Sequence, residues 1–454
     1  MTDAAPIVAG ELDSPFANVA GGGVRSRREF VADAIALAER LPASGAMLNL
    51  SADRYRFAVG LAAALLRGQT SLLPPNHLAD TVARLRMRFH GVYALVDGDD
   101  ADGHDLATVH HADRFASGGG VDRIPAVDAR LVAAHVLTSG STGDPVPHAK
   151  PWGLLVANAR AEAARLAAAL GCADLRGVSI VATVPAQHMY GFESSVLLAL
   201  HGGATLGATR PFFPADVAAA LAAVPAPRLL VTTPFHLKTI VEADLAVASP
   251  ALVLCATAPL SPQLAARAEA RLGAPLFEIY GCTEAGQVAT RRTVAGAEWR
   301  TYDGIRLDGD GDAVTVSGGH VPEPTVLADV LEVTSARTFR LLGRSNDLIN
   351  IAGKRSSIAH LNFHLNTIPG VVDGAFWMPP DDADARGIVR LVAFVVAPDV
   401  ERERIVAALR DRVDAAFLPR RVIHVDALPR EATGKLTADR MAALAKRLLH
   451  RERR

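Results

Sequence analysis

The chain is 454 residues long, half of them hydrophobic, with a formal net charge of -1. That length suffices for two or three domains and a large core. The balanced charge excludes nonspecific nucleic-acid binding, or attraction to an anionic membrane surface, as the main interaction, and small-molecule chemistry fits better. Cys172, Cys255 and Cys282 stand far apart among small or apolar residues, so neither a disulfide framework nor a CxxC metal site is expected, and a reducing compartment is.

The first residues lack a basic start followed by an apolar core, and runs such as Phe57 to Leu66 are too short to span a bilayer. A cytoplasmic protein without membrane insertion is expected. Ser26-Arg-Arg-Glu29 forms a capping box that predicts a helix to about Leu41. Short apolar runs follow at Ala46 to Leu50, Ser71 to Leu73 and Val92 to Val96, with helical patterns between them. Leu131 to Leu137 reads as a buried strand, and a helix is expected after Trp152. Further strands are expected at Val178 to Val184 and near Ala204, Leu229 and Leu252, separated by Ala-rich helices. This alternation predicts a layered α/β architecture.

From about residue 288 to 343 the helical period gives way to Gly/Asp-rich turns and short β-like runs, a β-rich subdomain. Strands at Ala375 to Met378, Leu391 to Val396 and Arg421 to Val425, with a helix from about Glu401 to Ala416, then outline a small α+β unit. The expected organisation is a large multi-layer α/β N-terminal domain over residues 1–343 and a C-terminal domain over 344–454.

Four segments carry chemistry. Thr138-Ser139-Gly140-Ser141-Thr142-Gly143, with Lys150 behind it, reads either as a flexible Ser/Gly linker or as a loop of hydroxyls and backbone N–H groups around a polyphosphate. The strand before it favours the loop, since α/β proteins bind ligands at the carboxyl ends of their strands. It is not a Walker loop, because Asp144-Pro145 follows Gly143 where Lys-Ser/Thr is required. Tyr280-Gly281-Cys282-Thr283-Glu284, after the predicted strand Pro275 to Ile279, offers a flat ring for a base, a phosphate-facing hydroxyl and a carboxylate for Mg²⁺, or else plain helix capping. Asp329 and, shortly after it, Arg344 suit ribose hydroxyls and phosphates. Lys435, in the Gly-flanked run Leu428 to Leu436, is a cation on a loop.

In this order and spacing the segments resemble the adenylate-forming superfamily: acyl- and aryl-CoA ligases, firefly luciferase and peptide-synthetase adenylation domains. The Thr138 loop resembles its TSG(S/T)TG motif, Tyr280 to Glu284 its YGxTE, Asp329 its ribose aspartate, Gly343-Arg344 its GRxD, and Leu428 to Leu436 its LPRxxxGK(I/L). The resemblance implies a two-step reaction. A carboxylate attacks the α-phosphate of Mg·ATP to give an acyl adenylate and pyrophosphate, and a thiol, usually pantetheine, then displaces AMP. It also implies that the small domain is mobile, swings at GRxD and delivers Lys435 as the catalytic lysine, with Thr283 and Glu284 acting beside it. Ala256-Thr257-Ala258-Pro259 stands where relatives have the adenine-facing Gly-Gly-Ala-Pro. Asn346 replaces the hinge aspartate, and Asn350 a lysine common after the hinge.

Pro185-Ala-Gln-His188-Met-Tyr190-Gly191-Phe192-Glu193 resembles the family's P-x-x-H-x-x-G segment at the acyl pocket. It implies His188 orienting the substrate carboxylate and Tyr190, Gly191 and Glu193 lining the pocket. Glu193 suits a substrate bearing a hydroxyl or amino group, or is a first-turn helix carboxylate. The Val-Pro-His-Ala-Lys-Pro-Trp variant from Val146 looks like the compact ligases of aryl-polyene and xanthomonadin pigment clusters. That implies a hydroxybenzoate-type acid and a phosphopantetheine thiol on an acyl carrier protein. A catabolic ligase using free CoA, an amino-acid adenylation enzyme and a nonenzymatic nucleotide-binding protein remain alternatives. The basic tail Lys446 to Arg454 is expected to meet an acidic carrier or to be a solvated helix end.

Overall fold

A computed structural model describes residues 3–19, 21, 23–74, 76–98, 105–112, 114–139, 145–344, 348–351, 354–379, 391–430 and 436–451. Two large sheets organise the first three quarters of the chain. In the first, Val132–Ser139, Thr70–Leu73, Ala46–Asn49, Val92–Val96 and Ala107–His110 lie side by side and parallel, and Pro145–Pro151 adds an antiparallel edge. Parallel strands need crossovers, and the helices Arg54–Leu66 and Ala79–Arg88 supply two of them. The helix Arg27–Ala38 opens on the expected capping box, the Ser26 hydroxyl accepting from the Glu29 N–H while the Glu29 carboxylate accepts from the Ser26 N–H.

The second sheet has eleven strands. Its parallel centre comprises Leu276–Cys282, Leu252–Cys255, Arg228–Thr232, Ser179–Ala182 and Thr205–Gly207. The middle strands Leu252–Cys255 and Ser179–Ala182 are buried throughout, as parallel strands covered on both faces are. After Cys282 the chain reverses, and Gly286–Arg291, Glu298–Thr301, Thr338–Arg344 and Asp329–Ser335 continue the same sheet antiparallel. The expected β-rich region is thus an extension of the main sheet, with the small sheet Arg306–Asp308, Thr315–Gly318 and Val321–Val326 beside it.

The helix Trp152–Leu170 begins directly after the edge strand and ends on Gly171 at φ 69°, the left-handed cap glycine accepts without strain. The sequence reads Asp144 to Trp152 as the tail of the hydroxyl-rich loop, whereas Pro145–Pro151 is a full strand registered against Val132–Ser139. Three prolines hide it from sequence reading, and an edge position tolerates them.

Toward the C-terminus, Asp373–Trp377, Val392–Val396 and Arg421–His424 form a three-stranded sheet with its own apolar clusters. The helix expected to Ala416 ends at Arg410, and the Asp414 side chain caps a separate short turn over Ala415–Phe417. The basic tail is the end of a helix, with Lys446 and Arg447 exposed. Ala438–Arg451 is a helix that buries Met441, Leu444 and Ala445 against Phe394 and Val392. No helix among the described residues is long and apolar enough to cross a membrane.

Candidate active site

The motifs expected to hold the nucleotide converge where the second sheet changes from parallel to antiparallel. The Tyr280 hydroxyl donates to the Asp329 carboxylate at 2.7 Å, and Asp329 faces Arg344 across the hairpin of their two strands. Three residues from separate motifs are therefore neighbours. The Tyr280 ring packs with Trp299 and Phe339, centroids 5.8 and 5.3 Å away, so much of its surface is in the core and its hydroxyl serves to hold Asp329. Gly281 must lack a side chain, since a Cβ there would lie 2.4 Å from the Gly286 carbonyl oxygen.

Ala256, Thr257, Ala258 and Pro259 form the turn at the end of the neighbouring strand Leu252–Cys255. Thr257 is exposed and holds φ 84°, the only positive φ of a non-glycine residue among those described. A β-branched residue there is a genuine outlier. The turn keeps the left-handed backbone that a glycine would take freely, and the close approach of small residues is preserved.

Thr138 and Ser139 end the strand that enters the hydroxyl-rich loop. Gly140, Ser141, Thr142 and Gly143 lie outside the described residues, as do Asn346 and Lys435. Lys150 lies near the far end of the next strand, buried, and its ammonium donates to the backbone carbonyls of Thr283 and, at 3.0 Å, Glu284. It thus ties the loop-bearing hairpin to the Tyr280 segment. Burial lowers its pKa, and the charge of Glu193 pulls it back up. Glu284 itself is half exposed, its carboxylate 3.9 Å from His148.

In the segment expected to hold the acid, His188 precedes a short helical turn, Met189–Gly191, that passes into a π-helix over Phe192–Leu197. Such widened turns cluster at functional sites. His188 is exposed, and desolvation by its surroundings lowers its pKa. A Cβ on Gly191 would sit 2.0 Å from the Pro185 carbonyl oxygen, which explains the glycine. Tyr190 is buried. Glu193, also buried, faces inward and accepts from the Asn158 amide. It borders a cavity of about 160 Å³ together with Lys150, Asn158, Met189, Gly286 and His320. Desolvation raises the Glu193 pKa, and Lys150 opposes that rise.

Four residues here were missed by sequence reasoning: Asn158, Glu162, Gln287 and His320. Asn158 and Glu162 share one stripe of the helix Trp152–Leu170 with Leu155, Ala159 and Leu166, all buried. Polar residues at core-facing positions of an Ala-rich helix were the available signal. The His320 ring donates from Nε2 to the Gln287 carbonyl at 2.7 Å. Burial pushes its pKa down to about 4, so it is a neutral hydrogen-bonding group.

The AMP-binding enzyme family matches residues 81–326, more than half of the chain. The chain belongs to that family. This AMP-binding enzyme is 30% identical over 302 residues to a 4-coumarate–CoA ligase of Rhodobacter capsulatus, covering 66% of this chain and 73% of the relative. It is 26% identical over 377 residues to an indoleacetate–CoA ligase of Aromatoleum aromaticum, covering 73% and 71% respectively. Its fold matches ATP-bound MatB from Rhodopseudomonas palustris with a TM-score of 0.76 at 18% identity, over 96% of this chain and 97% of that one. The AMP-binding enzyme is therefore an adenylate-forming, ATP-dependent acid–thiol ligase of the acyl- or aryl-CoA ligase type.

Proposed function

We propose that the chain adenylates a hydroxybenzoate-type aryl acid and passes the aryl group to a pantetheine thiol. The observation that carries this reading is the Glu193 carboxylate at the edge of the acid-side cavity, paired with Asn158. A buried acceptor costs free energy unless something donates to it, and an aryl acid with a polar substituent opposite its carboxylate would do so.

In the first step a carboxylate oxygen attacks the α-phosphorus of ATP, the bond to the β-phosphate oxygen breaks, and pyrophosphate leaves. His188 orients the attacking carboxylate, and the Thr138 to Gly143 loop surrounds the β- and γ-phosphates. Asp329 takes the ribose hydroxyls with Arg344 beside it, while Ala256 to Pro259 and Tyr280 bound the base. Charge builds on phosphate oxygens as the bond breaks, so Lys435 and the loop N–H groups act where they are worth most. In the second step the thiol sulfur attacks the acyl carbon, AMP leaves, and the thiol proton passes to solvent. Residues 344–454 act as the mobile domain that delivers Lys435.

Mg²⁺ fits the residues present. It demands few protein ligands, keeping waters and phosphate oxygens instead, and Glu284 offers one accessible carboxylate beside the loop-bearing hairpin. Glu284 would hold it. Its chemistry there is to neutralise phosphate charge.

Acid-dependent pyrophosphate exchange across aryl, fatty and amino acids tests the substrate class, and exchange only with saturated fatty acids would overturn the aryl reading. For the thiol, the motifs resembling pigment-cluster ligases support an acyl carrier protein. The CoA-ligase relatives favour free CoA as the second reading. Rates with CoA against a phosphopantetheinylated carrier protein decide between them.

A further inference from the structure

Behind Glu193 lies a second buried carboxylate. Glu162 is fully inaccessible, and neither of its oxygens has a well-formed hydrogen-bond partner among the described residues. The Ser194 hydroxyl and the Gln287 side chain act on it, and the Gln287 amide donates to Ser194 at 2.9 Å. One turn nearer the cavity on the same helix, Asn158 gives its N–H to Glu193 and leaves its own carbonyl oxygen unpartnered. Among the described residues the side-chain amide oxygen of Gln287 is likewise unpartnered. Gly286, at φ 78°, lets the next strand approach, since a Cβ there would be 3.0 Å from Glu193 Oε1.

Buried polar atoms are nearly always satisfied, and a cluster of exceptions marks a place where another donor belongs. Charge decides which kind. Two ionised carboxylates against one ammonium, Lys150, would leave an uncompensated buried charge. With one shared proton the group of Lys150, Glu162 and Glu193 is neutral. A neutral donor enters it without disturbing that balance, whereas an ammonium group has to expel the proton.

Resting on the aryl-acid reading above, we propose that Glu162, Glu193, Asn158 and Gln287 form a proton-sharing specificity floor. It recognises an aromatic acid through a neutral ring hydroxyl or ring amine. The other groups facing the pair do not titrate with it near neutrality. Burial holds the Tyr190 and Tyr302 hydroxyls protonated and His320 neutral. Arg165 lies beyond Tyr302, over its ring. Cys282 and Glu284 act on Lys150 from the far side.

The test compares benzoate, 4-hydroxybenzoate, 4-aminobenzoate and free amino acids by pyrophosphate exchange, and by ligand-induced thermal shift of the same full-length chain. The wild type should favour the two substituted benzoates over benzoate by about tenfold or more in kcat/KM, a difference of ~1.4 kcal/mol. Glu193→Gln should erase that preference, bringing kcat/KM for the two substituted benzoates down to the benzoate value, with the loss read in their KM. The pH arm uses 4-aminobenzoate, whose amine does not ionise in the alkaline range. Its KM should rise with pH in the wild type as the shared proton is lost, and Glu162→Gln, which has no proton to lose, should abolish the rise. An equal loss for benzoate and 4-hydroxybenzoate in Glu193→Gln would overturn the floor. So would a wild type that binds 4-hydroxybenzoate no more tightly than benzoate in the thermal shift, a readout that needs no folded variant. Preference for an amino acid would also overturn it. Exchange absent with every aryl acid, despite a thermal shift with 4-hydroxybenzoate, would overturn the aryl-acid adenylation reading and leave the floor standing.

Discussion

At Lys150 one buried ammonium joins two motifs far apart in the chain, because its donors meet the carbonyls of Thr283 and Glu284. Lys150→Met would leave those carbonyls and the Glu193 carboxylate without their cation. We expect a loss of about 3 kcal/mol in urea unfolding, with exchange activity falling alongside. Thr257 makes the opposite case. Its left-handed backbone costs a β-branched residue on the order of 1 kcal/mol, so Thr257→Gly should leave the protein as stable or raise its midpoint in the same assay. Glu162 supplies a pH signature. Burial raises its pKa from 4.5 to about 7. The native chain therefore keeps a proton that the unfolded chain releases near 4.5, and this contribution to stability, complete in acid, is lost as pH rises through about 7. Glu162→Gln should flatten that decline, seen as a melting temperature that varies less between about pH 5 and about pH 8.

The π-helix Phe192–Leu197 is the element on which the acid side turns. Arg54 is buried at the start of another helix and donates to Ser195 at 3.0 Å and to the Ala182 and Val184 carbonyls at 2.8 and 2.9 Å. It fixes the strand end and the π-helix relative to one another. Gly191 sits at their junction, and Gly191→Ala places a methyl against the Pro185 carbonyl. A loss of about 2 kcal/mol or more is expected in thermal unfolding, with the acid KM raised more than the KM for ATP. Little of this was legible in the sequence. The segment from Pro185 to Glu193 marked the place, yet a π-turn has no local code, and the direction of Glu193 depends on which helix packs against it. The capping box at Ser26 and the strand Val92–Val96 were readable because capping and apolar runs are local properties.

Across the whole molecule, the proposed catalysis depends on Lys435 reaching phosphates bound on a different part of the chain. A charge pair at about 4 Å and an effective dielectric of about 20 is worth at most ~4 kcal/mol, roughly a thousandfold in rate. Lys435→Ala should therefore remove most pyrophosphate exchange while leaving the melting temperature unchanged, and near-normal exchange would overturn its assignment. The membership of the chain in its family was legible because loop chemistry is written in contiguous residues: hydroxyls and glycines after a strand, Tyr-Gly-x-Thr-Glu after another, a lysine on a Gly-flanked run. The tertiary structure alone decided that Tyr280 holds Asp329, that Lys150 serves the Thr283 and Glu284 carbonyls, and that Asn158 and Glu162 stand behind Glu193. Those relations join residues from separate strands and helices. They exist only once packing sets which faces are buried together and which charges must then answer one another.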